Sequence, residues 1–364
     1  MSILNASLFA GPLDIVGDVH GEIEPLRALL THLGYSQQGE HPQGRRLVFL
    51  GDLCDRGPDS YAVIHFVQQL MQRGLAQCLL GNHELNILRN SPKSGNGWFF
   101  AHDHDRAPGH FLQSAPASEM QRAEIHEFFA TLPLTLQRAD LRLVHAAWLP
   151  QHVELIEQHQ AQHDVLALYH QFEDQTEARL TANGLKHAVE AEYRECHHLL
   201  TDSSFAMPLL PAIALYDETY QMSNPLRVLT SGVEQRTGKP FFTGGKWRMV
   251  DRVPWWQSYS ETTPVIIGHY WRWYYHDMGQ IFARSEKDMF APYAANEWLG
   301  ARNNVYCVDF SIGGRYKERE LGNTSPWNTR LAAVRWPEQE VVFDEGYRTQ
   351  LKPRISAKDP ALMH

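Results

Sequence analysis

Glycine, aspartate, asparagine and histidine recur together at three places in this chain. They are Gly17-Asp18-Val19-His20-Gly21, Gly51-Asp52-Leu53-Cys54-Asp55-Arg56-Gly57 and Gly81-Asn82-His83-Glu84. Each string begins where a hydrophobic run stops. Carboxylate, amide and imidazole groups carried to one point from separate strand ends can hold divalent cations. Two ions ~3.5–4 Å apart need a shared carboxylate and flanking His, Asp and Asn ligands. Asp52 suits the bridge, because it is central in the order and has a glycine beside it to let the backbone turn. Asp18 and His20 suit one ion. Asn82 suits the other, together with His145 and His269, which end the later runs Leu143-Val144 and Val265-Ile266-Ile267. Ions so held acidify a water and neutralise charge on phosphoryl oxygens, so hydrolysis at phosphorus is the chemistry expected. His83 is not needed as a ligand. It is better placed as a general acid for the leaving oxygen, with Asp55 orienting its ring. Arg56 offers a bidentate clamp for phosphate.

Such residues need strands to deliver them. Leu13 to Val16, Leu47 to Leu50 and Ala76 to Leu80 read as short buried strands, each stopped by Gly-Asp or Gly-Asn. Helical spacing follows the first, with Ile23, Leu26, Leu29, Leu30 and Leu33 on one face and Gly34 as the stop. Ser60 to Arg73 reads as the second helix. This rhythm predicts an α/β fold with its loops gathered at one sheet edge, where open sheets place ligands. Met120 to Leu132 reads as a helix, and Leu134 to Val144 as two strands. Val153 to Glu173 and Asn183 to Leu200 read as helices, followed by a Pro- and Trp-rich stretch. Gly279 to Ala283 reads as a hairpin or surface segment. Val305 to Val308, Leu331 to Trp336 and Glu340 to Phe343 are further strands, and the tail after Gly346 reads as loosely ordered. The stretch His102-Asp103-His104-Asp105 reads as a polar loop or substrate-facing wall, with a third metal site as the sharper alternative.

The 364 residues suit one large domain or a domain with a substantial insert. A formal charge of -9 gives no general attraction to a nucleic acid polymer. The sequence has no stretch that reads as a signal peptide or a membrane span. Cys54, Cys78, Cys196 and Cys307 form no CxxC pair, so reduced thiols in a cytoplasmic protein are expected.

The three strings, with Leu143-Val144-His145-Ala146-Ala147 and Val265-Ile266-Ile267-Gly268-His269, resemble the calcineurin-like metallophosphoesterases. The likeness is greatest to the phosphoprotein phosphatase branch, which includes bacterial serine/threonine phosphatases and symmetrical diadenosine tetraphosphate hydrolases. The resemblance implies a four-layer α-β-β-α sandwich with a dimetal centre at its loop edge. Residues 1–148 and 262–345 would form the core, 149–261 a largely helical inserted cap, and 346–364 a tail. It implies that Asp18, His20 and Asp52 hold one metal, that Asp52, Asn82, His145 and His269 hold the other, and that Asp309 closes the site. His83, Asp55 and Arg56 would be the catalytic set. Two departures stand out: Leu80 and Ala146 occupy positions where the family commonly has Arg and Gly. Arg89, Arg227 and Arg272 are candidates for a second phosphate-binding arginine, and Arg315, Lys317 and Arg319 for contacts to a longer anionic substrate. Lys186 lies in a segment faintly like a substrate-side segment of the family.

The function expected first is dimetal-dependent hydrolysis of a phosphomonoester, on a Ser/Thr phosphoprotein or a small molecule. The alternative is cleavage of a phosphoanhydride such as a dinucleoside polyphosphate, with Trp98, Phe99, Trp255, Trp256, Trp271 and Trp273 either stacking a base or packing the cap. A noncatalytic metal-binding scaffold is the reading from a different class. Mixed N/O ligands suit Mn, Fe and Zn, with Mn as the assay choice.

Overall fold

The structure is a computed structural model, and it describes residues 4–100, 116–159, 164–274, 288–323 and 325–354. The stretch His102 to Asp105 and the segment Gly279 to Ala283 lie outside the described residues. The elements run in chain order as follows. The first part holds β1 (Asn5–Ser7), β2 (Leu13–Val16), α1 (Ile23–Leu33), β3 (Arg46–Phe49), α2 (Ser60–Gln72), β4 (Ala76–Cys78) and α3 (Asn82–Leu88). Then come α4 (Gly97–Phe100), α5 (Glu119–Ala130), β5 (Thr135–Arg138) and β6 (Leu141–Val144). The intervening region holds α6 (Pro150–Gln158), α7 (Val165–Ala182), α8 (Leu185–Cys196), α9 (Pro211–Met222), α10 (Pro225–Ser231), β7 (Glu234–Thr243) and β8 (Lys246–Arg252). The last part holds β9 (Val265–Ile267), β10 (Val305–Cys307), α11 (Arg315–Glu320), β11 (Ala332–Trp336), β12 (Glu340–Phe343) and β13 (Arg348–Gln350).

Two sheets form the centre. One has the order β1-β5-β6-β9-β10 and the other β13-β12-β11-β2-β3-β4. Strand alternation decides what each face meets. Leu13 and Ile15 of β2, Val48 of β3 and Ile266 of β9 join one apolar cluster between the sheets. Their neighbours Val16, Leu47, Phe49, Val265 and Ile267 join a second cluster with α1 and α2. Each strand is therefore buried on both faces, which is why these segments read as mostly apolar runs, with Asp14 in β2 paired to Arg45 and Tyr35. The result is the layered α/β sandwich that the strand-helix rhythm and the resemblance anticipate.

The parallel strands matter most for function. β2, β3 and β4 run parallel to one another, and so do β6, β9 and β10. Their C-terminal ends carry the chain into Asp18, Asp52, Asn82, His145, His269 and Asp309.

Several local expectations are corrected. The stretch Val153 to Glu173 is two helices rather than one, because Asp164 caps a new start by accepting from Leu166 and Ala167 N–H. The largely helical region before β9 also holds an antiparallel hairpin of β7 and β8, which the sequence reading did not place. Residues after Gly346 are ordered at their start, where β13 adds to the edge of β12. β1 was not anticipated, and it extends β5 in parallel.

Candidate metal centre

The candidate ligands come together at the loop edge of both sheets. The Asp52 Oδ2 atom lies 3.7 Å from His20 Nε2, 3.4 Å from His145 Nε2 and 3.9 Å from His83 Nε2. Asp18 Oδ2 is 3.9 Å from His20 Nε2. The Asn82 side-chain oxygen is 3.2 Å from His145 Nε2 and 2.8 Å from His269 Nδ1. Two groups of donors fall within 4.8 Å of one another: His20, Asp52 and His83, and Asp52, His145 and His269. Asp52 belongs to both, the geometry a bridging carboxylate requires. The first group includes His83, which the sequence reading sets aside as an acid.

Backbone contacts choose the ring nitrogens that face inward. His20 Nδ1–H donates to the Cys54 carbonyl at 3.0 Å, and His145 Nδ1–H donates to the Leu50 carbonyl at 2.8 Å. A carbonyl can only accept, so both rings turn Nε2 toward the cluster, the orientation in which a ring donates a lone pair to a metal. The His269 N–H donates to both Asp18 oxygens at 3.1 Å, tying the end of β9 to the end of β2. His269 Nε2 is buried and has no hydrogen-bond partner. The other ring nitrogen, Nδ1, faces the Asn82 oxygen, and His269 falls in one donor group with Asp52 and His145, as a metal ligand would.

Five of the nine residues expected as ligands or catalytic groups have left-handed backbones: His20, Asp52, Asp55, Arg56 and His269, with φ between 49° and 73°. Non-glycine residues rarely adopt this region, and it concentrates at functional sites. Glu84 supports the strain. Its carboxylate accepts from the backbone N–H of Asp52, Leu53 and Gly81 at 2.8, 2.8 and 3.0 Å. Gly268 allows a close approach, since a Cβ there would lie 2.1 Å from Asp18 Oδ1.

Beside the cluster, His83 Nδ1 is 2.5 Å from Asp55 Oδ2. The Trp98 indole N–H donates to the other Asp55 oxygen at 2.7 Å. Arg56 spans the front of the site, with its guanidinium 3.2 Å from His20 Nε2 and 3.0 Å from His83 Nε2.

The charges are poised for cations. Burial raises the Asp18 carboxyl well above its usual range, and Asp309 and Asp52 add to the rise. Burial raises Asp309 as well. For Asp52 burial acts the same way, but the rings of His145, His83 and His20 hold it well below its usual value. Burial would lower His145, yet Asp52 holds it up at about 10. Burial and then Arg56 push His20 down, while burial and then Arg252 push His269 down. Carboxylates forced together out of water ask for positive charge, which divalent ions supply.

The other sequence candidates are held elsewhere. Arg272 is buried and gives its guanidinium to the carbonyls of Cys307, Ala294 and Glu297. Arg315 is buried against the Thr329 carbonyl and Asp344. Both guanidiniums are thus held by partners within the fold, backbone carbonyls for Arg272 and Thr329 with Asp344 for Arg315. Lys186 pairs with Glu177 within the intervening helices. Arg319 pairs with Glu22. Arg227 reaches Glu173 at 3.1 Å, and Arg89 reaches the same carboxylate at 3.5 Å. Trp98, Phe99, Trp255 and Trp256 are buried in the core cluster.

Sequence reasoning missed Glu84 as a backbone clamp, although it stands in the third string. It also missed the bond from Trp98 to Asp55, for which no sequence signal exists. Arg252 was missed too, although alternating cations at Lys246, Arg248 and Arg252 mark one face of a strand.

Residues 11–191 match the family described as "Calcineurin-like phosphoesterase". The chain belongs to this metallophosphoesterase superfamily, a group of hydrolytic enzymes. The asymmetrical bis(5'-nucleosyl)-tetraphosphatase PrpE of Oceanobacillus iheyensis is 49% identical over 74 residues, 20% of this chain and 30% of that protein. The symmetrical bis(5'-nucleosyl)-tetraphosphatase of Photorhabdus laumondii is 41% identical over 86 residues, 22% of this chain and 29% of that protein. The match thus spans less than a third of either curated relative. Among solved structures, the cold-active protein-tyrosine phosphatase of a psychrophilic Shewanella species has a TM-score of 0.44 at 14% identity, covering 96% of this chain and 82% of that one.

Proposed function

We propose that this chain hydrolyses a phosphate ester or anhydride at a two-metal centre. The convergence of Asp18, His20, Asp52, Asn82, His145 and His269 from two sheets carries the reading, with Asp52 common to both donor groups. Asp18, His20 and Asp52 would hold one ion, and Asp52, Asn82, His145 and His269 the other. When bound, the two ions lower the pKa of water and neutralise charge on phosphoryl oxygens.

The rest is done by the chain. Arg56 supplies paired donors to the phosphoryl group. Asp55 keeps the Nδ1 proton on His83, so that a proton on Nε2 can pass to the leaving oxygen. As water oxygen bonds to phosphorus, the bond to the leaving oxygen breaks and His83 completes the departing hydroxyl. Trp98 holds Asp55 in place through its second oxygen.

A phosphomonoester is the simplest substrate for this apparatus. The phosphoanhydride reading draws its support from the relatives, both named as tetraphosphatases. A reducing cytoplasm suits four cysteines without disulfides. Among the described residues, no helix is long and apolar enough to cross a membrane.

Metal-depleted protein should be assayed on p-nitrophenyl phosphate, a phosphopeptide and diadenosine tetraphosphate, with and without Mn²⁺, Fe²⁺ or Zn²⁺. Hydrolysis of at least one substrate should appear only with metal. No turnover of any substrate with any of the three metals would overturn the proposal. Metal analysis after gentle purification identifies the native ion.

A further inference from the structure

The Arg56 guanidinium lies between two loops that belong to the sheet opposite its own. One loop follows β9 and carries Trp271, whose ring centre is 4.9 Å from the guanidinium carbon. The other follows β10 and carries Gly313. A Cβ at Gly313 would lie 2.9 Å from Arg56 Nη1 and 2.3 Å from the His20 ring. The bare glycine backbone is what leaves the guanidinium room.

Asp309 ties the two loops together. Its Oδ2 accepts from the Trp271 N–H at 2.7 Å, and its Oδ1 from the Ser311 N–H at 2.8 Å. Its carbonyl accepts from the Arg272 N–H at 2.8 Å, and the Ser311 hydroxyl donates to the Arg272 carbonyl at 3.0 Å. Trp271 and Ser311 both have left-handed backbones, with φ of 45° and 64°. That region is strained for a residue as bulky as tryptophan. The hydrogen bonds of Asp309 hold the unfavourable turn in place, and the turn sets the indole over Arg56.

The contact matters because the other partners of this guanidinium have work elsewhere. Arg56 Nη1 meets His20 Nε2 at 3.2 Å, and Nη2 meets His83 Nε2 at 3.0 Å. Arginine can only donate, so each imidazole nitrogen must accept. The lone pair on His20 Nε2 serves a metal or a guanidinium, not both. His83 Nε2 cannot accept once it carries the proton for the leaving oxygen. Neither bond survives in a site made ready for hydrolysis. Among the described residues, the Trp271 ring and the Gly313 backbone are contacts that depend on neither nitrogen. The ring attracts the cation without supplying an acceptor, so the N–H groups stay available to phosphoryl oxygens.

We propose that Trp271 is a positioning residue. Its indole holds the Arg56 guanidinium ready for phosphoryl oxygens after the imidazoles have released it. This rests on the hydrolytic reading above, so the first readout is binding rather than turnover.

Inorganic phosphate is titrated calorimetrically into the Mn²⁺-loaded parent, Trp271→Leu, Trp271→Phe, Arg56→Ala and the double variant Arg56→Ala with Trp271→Leu. Melting curves check folding. Metal analysis checks that a change two residues after His269 leaves the Mn²⁺ content alone. Phosphate affinity should fall roughly three- to thirtyfold in Trp271→Leu, the range for losing a cation–π contact. Trp271→Phe keeps an aromatic face and should recover most of that loss. Trp271→Leu should change nothing further in the Arg56→Ala background, because the ring then has no guanidinium to hold. The kcat/KM for p-nitrophenyl phosphate should follow the same pattern. If Trp271→Leu does not fold, Trp271→Met carries the same comparison. Unchanged phosphate affinity, an equal loss with and without Arg56, or no phosphate binding by the parent would overturn the proposal. So would a loss of Mn²⁺ that accompanies the loss of phosphate and is not restored by Trp271→Phe, since Trp271 would then only support His269. The expected phosphate pattern in a protein that hydrolyses none of the substrates would instead fault the hydrolytic reading and leave the positioning role standing.

Discussion

Asp55 uses its two oxygens for different neighbours, His83 on one side and Trp98 on the other. This fixes the carboxylate in rotation, and through it the plane of the His83 ring. A proton delivered to a leaving oxygen matters most when that oxygen leaves poorly. His83→Ala should therefore lower turnover of an alkyl phosphate by roughly 10²–10⁴ and that of p-nitrophenyl phosphate much less. Metal content should stay near that of the parent. Trp98→Phe keeps the ring but removes the N–H, so it should repeat the same pattern at about tenfold. A simple loss of packing would slow both substrates equally. Undiminished turnover of the alkyl phosphate by His83→Ala would end the acid assignment, and equal losses on both substrates would reduce Trp98 to a packing residue.

At the level of elements, the legible part of this protein is its parallel strands. β2, β3, β4, β6 and β9 are largely buried, so each leaves a mostly apolar run, broken only by Asp14, Gln77 or Arg142, with a polar residue at its exit. Asp18, Asp52, Asn82, His145 and His269 could be found for that reason. β7 left no such trace, because Glu234-Gln235-Arg236-Thr237-Gly238-Lys239 has no apolar face to bury. Its pairing with β8 depends on α9 and the hairpin turn, which are tertiary facts. The left-handed backbones at the site were equally invisible, since nothing in Asp52 or His269 signals a positive φ. Helix α6 shows how a buried group in this intervening region can be tested. His152 donates from Nε2 to the Met222 carbonyl at 3.1 Å, while its Nδ1 is buried without a partner. Burial lowers its pKa. A depressed histidine binds fewer protons folded than unfolded, so its contribution is present above about pH 6.5 and lost as pH falls through the folded value. In chelator, the melting temperature of the parent should drop more between pH 7.5 and 5.5 than that of His152→Gln, which keeps a donor but cannot charge. Parallel curves for the two proteins would remove His152 from the pH response.

Across the whole molecule, the metal cluster is a seam between two sheets. One sheet contributes Asp18, Asp52 and Asn82, and the other His145, His269 and Asp309. In the metal-free protein the seam is held by hydrogen bonds such as that from His269 N–H to Asp18, while Asp18, Asp52 and Asp309 repel one another. Cations would reverse that repulsion and clasp the sheets together. Ligand binding to the folded state alone stabilises by about 2.7 kcal/mol at a hundredfold excess over Kd. For a chain of this size that corresponds to a rise of roughly 3–4 °C in melting temperature. Chelation should remove the rise and added Mn²⁺ restore it. The pH dependence follows from the raised Asp18 carboxyl. A proton that stays on Asp18 to higher pH competes with the ion, so the gap between metal-loaded and metal-free melting temperatures should narrow as pH falls. His145, held at about 10 by Asp52, acts in the same direction, because it must lose its proton before Nε2 can bind an ion. A melting temperature indifferent to chelator, or a gap that widens toward acid, would mean that these carboxylates and imidazoles are not the groups that hold the metals.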